Sequence, residues 1–210
     1  MLVPCHRSVM LSPEAKQILL DHYQQLLRTS GDGPEALGYS SRESQEMRFE
    51  QLTAIGNLTG ARILDLGCGL GHLYEFLRGK FGDVQYTGID IVPEMIDAAR
   101  SRYPDTRFEC RDVLTNPLDE DFDYVLINGV FNNTIPDVGE FLRSLTRVGF
   151  ERAQVALAFN FISSYVNYSD AGFAYHDPVE VLRYCIDDLS RKTTMFHHYG
   201  RTDVCVFVYK

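Results

Sequence analysis

Asp65 and three glycines at alternate positions, Gly67, Gly69 and Gly71, stand together in Ala61-Arg62-Ile63-Leu64-Asp65-Leu66-Gly67-Cys68-Gly69-Leu70-Gly71-His72-Leu73. Glycine lets the backbone take torsions and close approaches that a Cβ would block, so a ligand can lie against the main chain. Nineteen positions after Gly71, Val84-Gln85-Tyr86-Thr87-Gly88-Ile89-Asp90 closes on a second carboxylate. An acid at the carboxyl end of the second strand of a nucleotide-binding half can accept hydrogen bonds from both hydroxyls of a ribose. Among possible proton acceptors are His176, His197 and His198. His176 precedes a helix cap at the ligand-binding end of the chain's strands and ranks first, with a structural histidine as its alternative.

These groups need elements to hold them. Ile63, Leu64 and Leu66 suit a strand buried on both faces of a parallel sheet. Leu73, Phe76 and Leu77 are spaced for a helix whose free N–H groups point back at the glycine loop. Upstream, Ser12-Pro13-Glu14 signals a helix start, and Ser40 with Glu43 forms a capping box for a second helix. Downstream, Pro93-Glu94-Met95-Ile96 opens a helix, Thr106 to Cys110 is a short third strand, Phe122 to Ile127 a fourth and Val155 to Phe159 a fifth. Asp137 caps the helix between the last two, and Asp177 caps a final one. Two β-rich runs follow, Thr193 to Tyr199 and Val204 to Tyr209. The few residues between them allow an antiparallel hairpin and no parallel crossover.

Composition narrows the class. The chain has 210 residues, 45% of them hydrophobic, enough for one sizeable core and with no run of eighteen apolar residues. Met1 to Met10 carry Pro4, Cys5, His6 and Arg7 where a secretory leader would be apolar, so a cytoplasmic location is expected. Cysteines at positions 5, 68, 110, 185 and 205 show neither a disulfide framework nor metal-ligand spacing, and no metal site is expected. A formal charge of −9 opposes binding to nucleic acid or to anionic membranes.

The motifs together resemble the class I S-adenosylmethionine-dependent methyltransferases over nearly the whole chain. Leu64-Asp65-Leu66-Gly67-Cys68-Gly69-Leu70-Gly71 is similar to that family's first motif, Asp90-Ile91 to its ribose acid and adenine-packing neighbour, and Asp112-Val113 to its adenine-edge pair. The resemblance implies a Rossmann-like α/β fold in one domain. Its seven strands would run in the order 3-2-1-4-5-7-6 with the last antiparallel, residues 1–60 forming a helical cap or lid over a core of residues 61–210. It implies that Asp65 and backbone groups of Gly67 and Asn128 hold the methionine part of S-adenosylmethionine, with Cys68, Gly69, Gly71 and Met95 also lining the cofactor site.

Gly38-Tyr39-Ser40-Ser41 with Gln45, Arg48 and Phe49, and Tyr175-His176-Asp177-Pro178, resemble small bacterial members of the family, which implies a small-molecule acceptor. Arg48 could pair with the cofactor's carboxylate beside Gln45, or be an ordinary helix charge. Asn128-Gly129-Val130-Phe131 stands where amino-methylating relatives carry two prolines, which are missing here. Phe131, Asn132, Tyr165, Tyr168 and His176 are the candidate substrate residues. The rival readings are a nicotinamide-dependent oxidoreductase, which Asp90 permits and the glycine spacing opposes, and a methyltransferase-like binding module without turnover.

Overall fold

The computed structural model describes residues 10–199 and 202–210, so Cys5 and the proposed reading of the first nine residues lie outside it. Seven strands form one sheet in the order β3-β2-β1-β4-β5-β7-β6. They are β1 Arg62–Leu66, β2 Gln85–Asp90, β3 Arg107–Cys110, β4 Phe122–Ile127, β5 Ala153–Ile162, β6 Thr193–Phe196 and β7 Asp203–Tyr209. The first five pair in parallel, whereas β7 runs antiparallel to both β5 and β6. The expected order and hairpin are present. Chain order reverses between β1 and β4, and at such a switch point an open α/β sheet leaves a crevice beyond its carboxyl ends.

Alternate strand residues feed two apolar layers. Leu64, Leu66, Val125, Ile127 and Leu157 face α5 (Val138–Arg152) and α6 (Pro178–Tyr184). Ile63, Leu126, Ala156 and Ala158 face the other way, toward α3 (His72–Phe81), α4 (Pro93–Arg102) and also α2 (Arg42–Thr53). Phe49 and Leu52 of α2 are buried in that layer, each stabilising the fold by about 1.5–3 kcal/mol. The second helix is therefore part of the core. Among the described residues, α1 (Pro13–Ser30) and the 3-10 turn Pro34–Leu37 pack in smaller clusters beside the crevice, to which they bring Leu19, Tyr23 and Leu37.

Local signals hold with small shifts. Ser12 Oγ accepts from Ala15 N at 3.1 Å, as its capping role requires. The second helix is capped one residue later than the capping box suggested, by Ser41, whose Oγ accepts from Ser44 N. Asp137 occupies the cap position of α5 in a left-handed conformation and makes no side-chain cap bond. β5 runs to Ile162, three residues past its expected end, because β7 pairs with it from Ala156 through Ile162. Among the described residues no helix is long and apolar enough to cross a membrane.

Candidate active site

Asp65 arrives at the crevice because its neighbours Leu64 and Leu66 are locked into the sheet core. It is 1% exposed. Its Oδ2 accepts from Tyr86 Oη at 2.6 Å, while Oδ1 has no partner. Burial pushes its pKa up to about 7, the Tyr86 bond works against that rise, and the Asp90 charge adds to it.

The glycine loop is pinned to β2, since Gly67 N and Cys68 N donate to Ile89 O at 2.8 and 3.1 Å. Gly67 has φ of 82°, and a Cβ there would sit 2.3 Å from Val130 Cγ2. Asp90 ties the loop to the next turn, its Oδ2 accepting from Gly69 N at 2.8 Å and its Oδ1 from Val92 N at 2.9 Å. Burial raises the Asp90 pKa, and the backbone donors at Val92, Gly69 and Ile91 oppose that rise. On the next turn Asp112 Oδ1 accepts from Leu114 N at 3.1 Å, and Oδ2 takes Lys16 Nζ of α1 at 3.0 Å.

These acids line one cleft of about 1040 Å³, its open mouth included, with Gln45, Gly67, Cys68, Gly69, Ile91, Met95, Val113 and Asn128. His72 Nε2 donates to Asp32 O at 3.0 Å, and Nδ1 meets one end of the Gln45 amide at 3.2 Å. The other end of that amide is buried without a partner. Burial lowers the His72 pKa.

Several expected contacts lie elsewhere. Arg48 does not reach into the cleft: its Nε and Nη2 grip Asp203 Oδ1 and Oδ2 at 2.7 and 2.8 Å, and Nη1 donates to Ser44 O and Oγ. Gly71 serves packing, because a Cβ there would meet Phe108 Cζ at 2.9 Å. Phe131 is fully buried edge-on against Phe141 and Phe159, a core ring and not a substrate wall. His176 lies outside the cleft, buried against Phe161, with Nε2 donating to Phe131 O at 2.9 Å and its pKa lowered by burial. That is a structural histidine bracing the turn after β4. Asn132 gives its carbonyl to Ala174 N, outside the cleft. Tyr165 and Tyr168 are 65% and 50% exposed on a separate surface hollow.

Sequence reasoning missed Lys16, Tyr23 and Leu37, which α1 and the turn Pro34–Leu37 bring to the cleft, and gave Tyr39 no role. Tyr39 stood within Gly38-Tyr39-Ser40-Ser41 and could have been found there. Tyr23 Oη accepts from Asn133 Nδ2 at 2.8 Å, and burial pushes its pKa up to about 12.

Residues 63–149 match a family model described as a methyltransferase domain. A Mycobacterium tuberculosis protein named as a methyltransferase is 29% identical over 164 residues, covering 70% of this chain and 92% of that protein. The malonyl-[acyl-carrier protein] O-methyltransferase of Acetivibrio thermocellus is 33% identical over 118 residues, 54% of this chain; the match spans only 39% of that enzyme. Among solved structures, the magnesium protoporphyrin IX methyltransferase of Synechocystis with bound S-adenosylmethionine superposes with a TM-score of 0.68 at 18% identity, over 96% of this chain and all of that one. The fold agrees with these likenesses. The matched domain, the named relatives and the shared fold support a class I S-adenosylmethionine-dependent methyltransferase.

Proposed function

We propose that this chain methylates a small molecule, most readily one whose attacking atom is already ionised at neutral pH. One observation carries the reading: α1 and the turn Pro34–Leu37 roof the cleft with Leu19, Tyr23 and Leu37, so that the acceptor has to fit beneath a cover. The name of the Acetivibrio relative, an O-methyltransferase, is in keeping with an oxygen acceptor.

The residues present fit S-adenosylmethionine. Asp65 Oδ1 is a buried acceptor awaiting a donor, which an ammonium supplies, and Gly69, where a Cβ would come within 2.6 Å of Leu37 Cδ2, lines the same cleft. Asp90 and Asp112 each keep lone pairs beyond their present bonds, suited to ribose hydroxyls and an adenine amino group. The cofactor brings a methyl group already activated by a sulfonium. What remains for the protein is alignment and exclusion of water, a contribution of ~7–11 kcal/mol in well-oriented reactions. His72 has both ring nitrogens engaged and His176 lies outside the cleft, so neither is placed to take a proton from the acceptor. An acceptor that needs no deprotonation, such as a carboxylate, suits this site.

The test is formation of S-adenosylhomocysteine from S-adenosylmethionine when the protein meets a cell extract split by ultrafiltration at about 1 kDa. Turnover is expected with the filtrate. Turnover confined to the retained macromolecules would overturn the small-molecule reading.

A further inference from the structure

A chain of hydrogen bonds behind the cleft has a fixed direction. It starts at the backbone N–H of Gly129, which can only donate and does so to Asn160 Oδ1 at 2.7 Å. That orients the Asn160 amide, whose Nδ2 then donates to Asn128 Oδ1 at 2.6 Å. Asn128 is oriented in turn, and its Nδ2 donates to Tyr39 Oη at 2.6 Å. The Tyr39 hydroxyl is thus an acceptor in this relay, and its own proton has no partner among the described residues.

Each link is held in place. Asn160 is 1% exposed within β5. The Arg48 guanidinium, fixed by Asp203, lies 5.4 Å from the centre of the Tyr39 ring. Burial raises the Tyr39 pKa, so the phenol keeps its proton at neutral pH. Tyr39 lines the same cleft as Asp65, whose Oδ1 is the uncommitted acceptor. A free donor and a free carboxylate oxygen in one cleft complement a zwitterion, carboxylate to the first and ammonium to the second. With the Arg48 fork spent on Asp203, the hydroxyl is the remaining aimed donor of this group.

We propose that Tyr39 is a positioning residue whose hydroxyl, aimed by the Gly129–Asn160–Asn128 relay, donates to the carboxylate at the amino-acid end of the cofactor. The proposal rests on the S-adenosylmethionine reading above. A carboxylate on the methyl acceptor would offer the same chemistry, and the choice of probe separates the two.

Calorimetric titration of the full chain with S-adenosylhomocysteine, and with its analogue lacking the carboxylate, tests it without turnover. Tyr39→Phe keeps the ring and should weaken S-adenosylhomocysteine binding about 10- to 100-fold, the range for a hydrogen bond to a charged group. Binding of the carboxylate-free analogue should be unchanged by the substitution. Asn160→Ala, which cuts the relay, should reproduce the loss and add little to it in the double variant; if that variant does not fold, Tyr39→Phe decides alone. Equal losses for both ligands would make the role structural and overturn the proposal. No loss for either would overturn it too, sending the proton to another group such as the acceptor. Failure of the unaltered protein to bind S-adenosylhomocysteine would remove the cofactor reading itself, whereas binding insensitive to Tyr39→Phe removes only this clamp.

Discussion

Asp65 makes the stability of this protein depend on pH in a direction that can be worked out. Its carboxyl is raised from the ordinary 3.8 to about 7, mainly by burial. The folded protein therefore holds a proton that the unfolded chain has already released. Stability from this group is fully present below pH 3.8 and is lost as pH rises through 7. One pKa unit corresponds to about 1.4 kcal/mol, so the wild type should lose roughly 2–3 kcal/mol of unfolding free energy between pH 5 and pH 7 through this residue. Asp65→Asn keeps an oxygen for the Tyr86 hydroxyl and removes the titration. The assay is urea unfolding of both proteins at half-unit intervals from pH 5 to 8. The gap between them should open with pH in favour of the asparagine variant, and saturating S-adenosylhomocysteine, whose ammonium can pair with the ionised form, should shrink the wild type's loss. Parallel curves would show that Asp65 is ionised throughout and that the burial argument is wrong.

Asp90→Ala should lower both cofactor affinity and stability, each by ~2–4 kcal/mol, because Gly69 N and Val92 N lose a charged acceptor along with the ligand; calorimetric titration and urea unfolding read the two, and unchanged stability would refute the tie. Arg48→Met strands Asp203, which is 2% exposed, and should cost about 3–5 kcal/mol of stability, while Arg48→Met with Asp203→Leu should recover part of it. A single variant as stable as the wild type would show the pair to be idle. Hydrogen exchange should show α1 gaining protection when S-adenosylhomocysteine is added and α2 already protected without it, with Lys16→Ala reducing the gain in α1. Gain confined to α2 would reverse that assignment of the cover.

The legible part of the site was its floor. Gly67, Gly69 and Asp65 lie within a few residues of one another, and Asp90 follows at a spacing that a strand, helix and strand impose, so local sequence carried the geometry. The hairpin was legible for a similar reason, a connection too short for any crossover. The roof was not. Arg48 finds Asp203 at 155 positions' distance, and Lys16 finds Asp112 at 96, separations at which no periodicity or spacing rule operates. Position 48 could be read as a cofactor contact because a guanidinium suits any carboxylate, and only the fold shows which carboxylate it meets. His176 illustrates the converse. The sequence suggests a place near the ligand-binding end, but the carbonyl of Phe131 that claims its Nε2 belongs to a turn whose path no local pattern specifies, and the ring lies outside the cleft. Tyr165 and Tyr168 sit where aromatic density suggested a pocket, yet the segment turns them out to solvent.

The position of β7 inside β6 dictates an order of assembly. Among the described residues β6 pairs with β7 alone, so although it is synthesised first it has no edge to join until β7 has entered beside β5. Asp203, the first residue of β7, also supplies the carboxylate that takes the Arg48 fork. A nascent chain would thus carry an uncompensated Arg48, and once β5 is made an open edge of that strand, until β7 emerges, the kind of long-range closure that slows folding and leaves strand edges available for misassembly. Completion of the sheet and bracing of Tyr39 behind the cleft become one late event.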